Sequence, residues 1–176
     1  ATSVATTLGF SMSSLNRVLV AARRQTAVAA NNFIGNRAQL GLVEANINIG
    51  GVKYPQISIK DRTNNSAEVL AEALVSQRAL LPYGHVSSIN DGGLFSLTSG
   101  DGSDAANTGK FLLDIDLESQ RVDAGSLVAG VNCIGQVVQF EATYTANANA
   151  HVIDIFGEHT IMAQLDMQSL TLQIAV

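Results

Sequence analysis

The chain has 176 residues, 47% of them hydrophobic and only 14% charged, with ten Lys and Arg against fifteen Asp and Glu for a net charge of −5. That length fits one domain, and the charge content lies well under the roughly 25% of an ordinary soluble domain, so much of the surface is neutral and suited to meeting other protein. Apart from the pair Arg23-Arg24 there is no basic field to hold a nucleic-acid backbone, which argues against specific nucleic acid as a partner.

One cysteine, Cys133, leaves no intrachain disulfide and no CxxC zinc cage, and it reads as a small buried hydrophobe. No apolar run reaches the eighteen or so residues of a membrane span, and the N-terminus lacks the charged-then-apolar order of a signal peptide. The expectation is a soluble, unexported chain without direct membrane insertion.

Residues 1–42 are rich in Ala, Ser, Thr and Asn, with "RVLVAAR" at 17–23 as the one apolar segment. They read as an extended N-terminal arm or linker, and 43–176 as the folded domain. From residue 43 short alternating runs separated by Gly, Asn, Asp and Pro give the period-2 signature of half-buried strands. The first, Ile47 to Ile49, breaks at Gly50-Gly51 and restarts through Val52, Tyr54 and Pro55 into "ISIK".

A single helix is predicted at about 65–81. Asn65 precedes Glu68 at capping-box spacing, Val69, Leu70, Ala73, Leu74, Gln77 and Leu81 share one face, and Pro82 ends it. Asn90 to Gly93 reads as a turn, and "TSGDGSDAANTG" at 98–109 as a surface loop. Phe111, Leu113, Ile115 and Leu117 then form a core face against a wet face of Leu112, Asp114, Asp116 and Glu118. Val138, Phe140, Ala142 and Tyr144 alternate with Gln139, Glu141 and Thr143, and strands follow in "HVIDIFGEHTIMAQL" and "SLTLQIAV". Six to eight strands with one flanking helix make a mainly β fold, a jelly-roll β-sandwich ahead of other sandwiches and barrels.

Candidate chemistry is sparse. Asp114, Asp116 and Glu118 lie about 6 to 7 Å apart on one strand face, near enough to share a hard cation, and equally well read as solvated polar residues. "GDGSD" at 100–104 offers oxygen ligands without EF-hand spacing. His151, Asp154, Glu158 and His159 form the one cluster resembling an active site, but the two histidines lie about 26 Å apart on an extended strand, too far to share a metal. "VNCIGQ" around Cys133 carries no nucleophile elbow, and neither GxxxxGK[ST] nor GxSxG occurs. No catalytic, cofactor-binding or metal site is assigned, and no enzyme, cofactor or small-molecule substrate is expected. A carbohydrate- or ligand-binding sandwich is the alternative, with a thin stacking platform because Trp is absent; a cupin-like metalloenzyme using His151 or His159 ranks below it.

"INIGGVKYPQISI", "NNSAEVLAEAL" and "GKFLLDIDLESQ…GSLVAGVNCIGQVVQFEATY…AHVIDIFGEHTIMAQL" together resemble the second jelly roll of double-jelly-roll major capsid proteins. These build tailless icosahedral DNA viruses, spanning virophages, polinton-like viruses, adenovirus-like particles and large nucleocytoplasmic DNA viruses. The matching positions are Gly50, Gly51, Tyr54, Pro55, Asn64, Asn65, Leu117, Glu118, Gly130, Asn132, Asp154 and Phe156. The likeness covers about residues 43–176, and the order of the pieces is what carries it. The chain departs from the family where Glu158-His159 stands in place of a frequent Tyr-Asp, and in length, since two barrels cannot fit in 176 residues. It is expected to be either the C-terminal half of such a protein, with 17–23 the end of a preceding barrel, or a one-barrel relative. The resemblance implies a shell subunit of the virion that self-associates as a homotrimer, joins a capsid lattice and contacts other capsid proteins.

Overall fold

A computed structural model describes residues 2–25, 41–60, 68–69, 112–117, 130–145, 150–166 and 171–175. Nine strands occupy most of them: β1 (Thr2–Leu8), β2 (Leu15–Arg24), β3 (Leu42–Ile49), β4 (Val52–Lys60), β5 (Leu113–Asp116), β6 (Val138–Tyr144), β7 (His151–His159), β8 (Met162–Asp166) and β9 (Thr171–Ala175). They form a four-stranded sheet in the order β1-β6-β3-β4, a three-stranded sheet in the order β5-β2-β7, and the pair β8-β9, all antiparallel. The fold is mainly β. Among the described residues no helix is long and apolar enough to cross a membrane.

The two larger sheets feed one core. Val18 and Val20 of β2 and Leu113 and Ile115 of β5 join Ala45, Ile47 and Ile49 of β3 and Val138, Phe140 and Ala142 of β6 in a single buried cluster. This is the expected consequence of period-2 apolar alternation, in which each strand turns every second side chain inward. Of the predicted core faces, Leu113, Ile115 and Leu117, and Val138, Phe140 and Ala142, are found there, with Tyr144 packed at the margin; Phe111 lies outside the described residues.

The turn after β3 forms as its residues require. Ile49 faces Val52 across a two-residue loop, and Gly50 and Gly51 take φ of 58° and 91°, a conformation that side chains with a Cβ adopt at a cost. Pro55 sits in β4, an edge strand, within a register shift: Ala45 faces Ile59 and Ile47 faces Tyr54, so four β4 residues stand opposite Asn46. Missing a backbone donor, a proline is tolerated at such an edge and not in a central strand.

Two expectations are corrected. Residues 2–8 and 15–24 are not an extended arm: β1 pairs with β6 over its whole length, and β2 is the middle strand of the second sheet, with Leu15 and Val18 fully buried. The misleading feature was composition. The Thr/Ser/Ala content of β1 offers little apolar signal, yet backbone pairing with β6 recruits it, while Arg17 and Arg23 of β2 are accommodated by acids on neighbouring strands. Nor is the opposite face of β5 uniformly wet: Asp114 is fully buried, while Leu112 and Asp116 are half-buried. Of the predicted helix at 65–81 only Glu68 and Val69 are described; both are helical, and Val69 is buried in the core. The turn at 90–93, the loop at 98–109 and Glu118 lie outside the described residues.

Candidate functional site

Cross-strand register determines which charges meet. Arg17 of β2 lies opposite Asp116 of β5 on one side and Glu158 of β7 on the other. Its Nη1 is 3.3 Å from Asp114 Oδ2, and its Nε donates to Glu158 Oε2 at 2.5 Å. Six residues on, the Arg23 guanidinium pairs with Asp154. One strand's arginines thus tie three carboxylates on two neighbours, in the manner of opposite-charge cross-strand pairs. This accounts for Asp154 and Glu158 as fold-holding ion pairs, and it occupies Arg23, half of the one basic pair that could have met phosphate.

The histidines are not brought together. His151 faces Arg24 and His159 faces Leu15 at opposite ends of β7, which runs unbroken between them. Among the described residues no group of three or more His, Cys, Asp and Glu could hold a metal ion. Cys133 is fully buried, as the sequence suggests; its Sγ accepts from Met12 N–H and donates to Met12 C=O, each at 3.2 Å, so it anchors the segment before β2.

A cleft of about 790 Å³ lies between the β3–β4 turn and the 131–137 segment. Gly50 lets these loops approach: its N–H donates to Val137 C=O at 3.0 Å, and a Cβ there would lie 2.4 Å from Gln136 Oε1. Both loops are braced by asparagines, Asn48 Oδ1 accepting from Gly51 N–H and Asn132 Oδ1 from Ile134 N–H, each at 3.0 Å. The lining carries amides (Asn48, Asn132, Gln136, Gln139) and Tyr54 but no charged side chain. It can exchange hydrogen bonds; it holds no group suited to proton transfer near neutral pH. The apolar side chains of Val52, Ile134 and Val137 around it are half exposed or more.

A smaller depression of about 280 Å³ lies on the outer face of the four-stranded sheet and includes Glu44, Asn46, Lys53 and Glu141. Asn48 Nδ2 donates to Glu141 at 2.9 Å and Lys53 Nζ sits 3.1 Å from it, so the carboxyl is held below its usual range, the Asn48 hydrogen bond being the largest cause. Tyr144, at the core margin, has its phenol pushed up to about 12 by burial.

Neither the arginine ladder nor the cleft was found by motif reading. The ladder's signal was present, since Arg17 and Arg23 share one face of an alternating run; the cleft's only sequence trace is the Gly50-Gly51 turn. No family model matches the chain, and neither a curated protein nor a solved structure matches it.

Proposed function

We propose that this chain is a viral structural protein, a major capsid subunit or the C-terminal jelly roll of one, which builds an icosahedral shell through trimeric capsomers. The observation that carries the reading is how the surface is sorted. Arg17, Arg23 and Lys53 are each engaged by carboxylates, while Val52, Ile57, Ile134, Val137, Phe156 and Ile161 are each at least half exposed. Such a surface can shed water against protein, because interface cores are depleted of charge.

The order of motifs described above supports the capsid family within that class. Strand order supports a jelly roll: among the described strands of the two larger sheets, only the β3–β4 pairing joins consecutive ones, as in Greek-key layouts and unlike a meander. The test is light scattering on size-exclusion effluent, with negative-stain micrographs. Trimers or closed shells are expected; a monomer at high concentration that forms no particles overturns the reading.

A second reading, a carbohydrate- or ligand-binding sandwich module, is favoured by the uncharged, amide-rich cleft beside Tyr54. Aromatic and amide groups suit neutral polyols. A glycan array without hits removes it.

A further inference from the structure

The four-stranded sheet has two edges, and they differ in kind. β4 carries the devices that blunt an edge: Lys53 and Lys60, Pro55, and the register shift opposite Asn46. β1, "TSVATTL", carries none of them. It has no charge, proline or glycine, and its register with β6 runs unbroken from Thr2↔Tyr144 to Leu8↔Val138. Five of its seven residues are exposed, and among the described residues only β6 pairs with it. An unbroken edge that no described strand covers is a template for one more strand.

We propose that β1 is an interaction edge for β1 of a second copy, paired antiparallel about a twofold axis at Ala5. Charge selects this occupant. The chain bears −5, so two copies repel, and the other edges of the two larger sheets carry charged groups already engaged within the fold, Lys53 with Glu141 on β4, Asp114 with Arg17 on β5, and Asp154 and Glu158 with Arg23 and Arg17 on β7, which self-pairing would crowd. β1 meets its own copy without opposing any. Its makeup, short, β-prone, uncharged and free of proline, is that of segments that stack on themselves.

With Ala5 on the axis, Ser3 faces Thr7 and Val4 faces Thr6 of the second copy, and the two four-stranded sheets become one of eight strands. Half-buried Val4, and Leu8, which packs at the core margin, gain cover. A contact about 24 Å long is modest by the standard of stable interfaces, so the pair forms with rising concentration. The proposal does not rest on the capsid reading, although a shell of trimers contains twofold contacts between neighbouring capsomers.

The experiment uses the full 176-residue chain carrying Ala5→Cys. Antiparallel partners sit about 4.5 to 5.5 Å apart at Cα, within disulfide reach, so mild oxidation should yield a covalent dimer on a non-reducing gel. Ser13→Cys, exposed outside β1, should not. Adding Ser3→Lys and Thr7→Lys, both at exposed positions, opposes lysines across the axis and should reduce cross-linking to the Ser13→Cys level, with a cooperative thermal transition retained. Cross-linking of Ala5→Cys no faster than Ser13→Cys, or undiminished by the lysines, overturns the proposal. So does a monomer whose β1 amides are all protected from hydrogen exchange, since another segment would then cover the edge. Trimers together with cross-linking undiminished by the lysines would defeat the edge and leave the capsid reading standing.

Discussion

Arg17→Met keeps the length and apolar stem of the side chain while removing the guanidinium that links β5, β2 and β7. The two carboxylates it serves differ in burial: Asp114 is 0% exposed and Glu158 36%, with Arg17 itself at 12%. An exposed pair contributes about 0–1 kcal/mol, whereas removing one partner of a buried pair costs about 3–5 kcal/mol because the other charge stays desolvated. The Asp114 contact is single and 3.3 Å long, and Asp114 engages further groups, which places the expected loss near the lower end, about 3 kcal/mol. For a chain of this size that is a fall of about 6–12 °C in the thermal midpoint. The assay is equilibrium unfolding in urea, which leaves ionic strength free to vary, on Arg17→Met, Glu158→Gln, Asp114→Asn and the Arg17→Met/Asp114→Asn pair. Glu158→Gln should lose less than about 1 kcal/mol, and that loss should shrink with salt, while the Arg17→Met loss should persist. The double variant should be less destabilised than the sum of its singles by about 1–3 kcal/mol. If Arg17→Met matches Glu158→Gln, or the double variant is additive, Arg17 does not hold the buried carboxylate.

Gly130→Ala would place a Cβ 2.3 Å from Leu15 C=O, backbone that cannot swing aside, and should lose more than about 2 kcal/mol. Gly51→Ala meets open space, bears only its left-handed φ, and should lose about 1–2 kcal/mol; melting curves rank the two. The Tyr144 phenol stays protonated in the folded chain up to about 12, whereas it ionises near 10.0 when unfolded, so it holds stability below 10 that drains as pH climbs through 12, about 2–3 kcal/mol in all. Tyr144→Phe should flatten that alkaline decline, and an unchanged decline refutes the assignment. Cys133, buried and bonded to Met12, should react with a thiol reagent at the rate of unfolding, and rapid labelling of the native chain would contradict its burial.

What could be read from the sequence was whatever depended on near neighbours. Val138, Phe140 and Ala142, and Leu113, Ile115 and Leu117, announce their faces by alternation, and Gly50-Gly51 announces its turn. What escaped depended on distant partners. Asp114 is buried with its carboxylate bonded to Arg17, 97 positions earlier, and nothing in "LLDIDLE" carries that information. β1 looked like an arm because a strand admitted by backbone pairing needs few apolar residues, and its host, β6, lies more than 130 positions downstream. The cleft was hidden in the same way: its two loops are neighbours only because β3 pairs with β6.

That sorting of charge bears on how copies of the chain can meet. Coulomb attraction between exposed groups is screened beyond about 10 Å at roughly 0.1 M salt and about 3 Å near 1 M. An assembly held by salt bridges therefore comes apart as salt rises. Here the basic groups Arg17, Arg23 and Lys53 are engaged within their own sheets, and what opposes association is the −5 carried by every copy. Salt weakens that repulsion and leaves neutral contacts such as those through β1 or Val52 and Val137 intact. Sedimentation equilibrium from about 0.1 to about 1 M sodium chloride should accordingly show association holding or strengthening. Dissociation into monomers at the upper end would mean that charged pairs between copies hold the assembly, and the neutral surfaces would lose their assigned role.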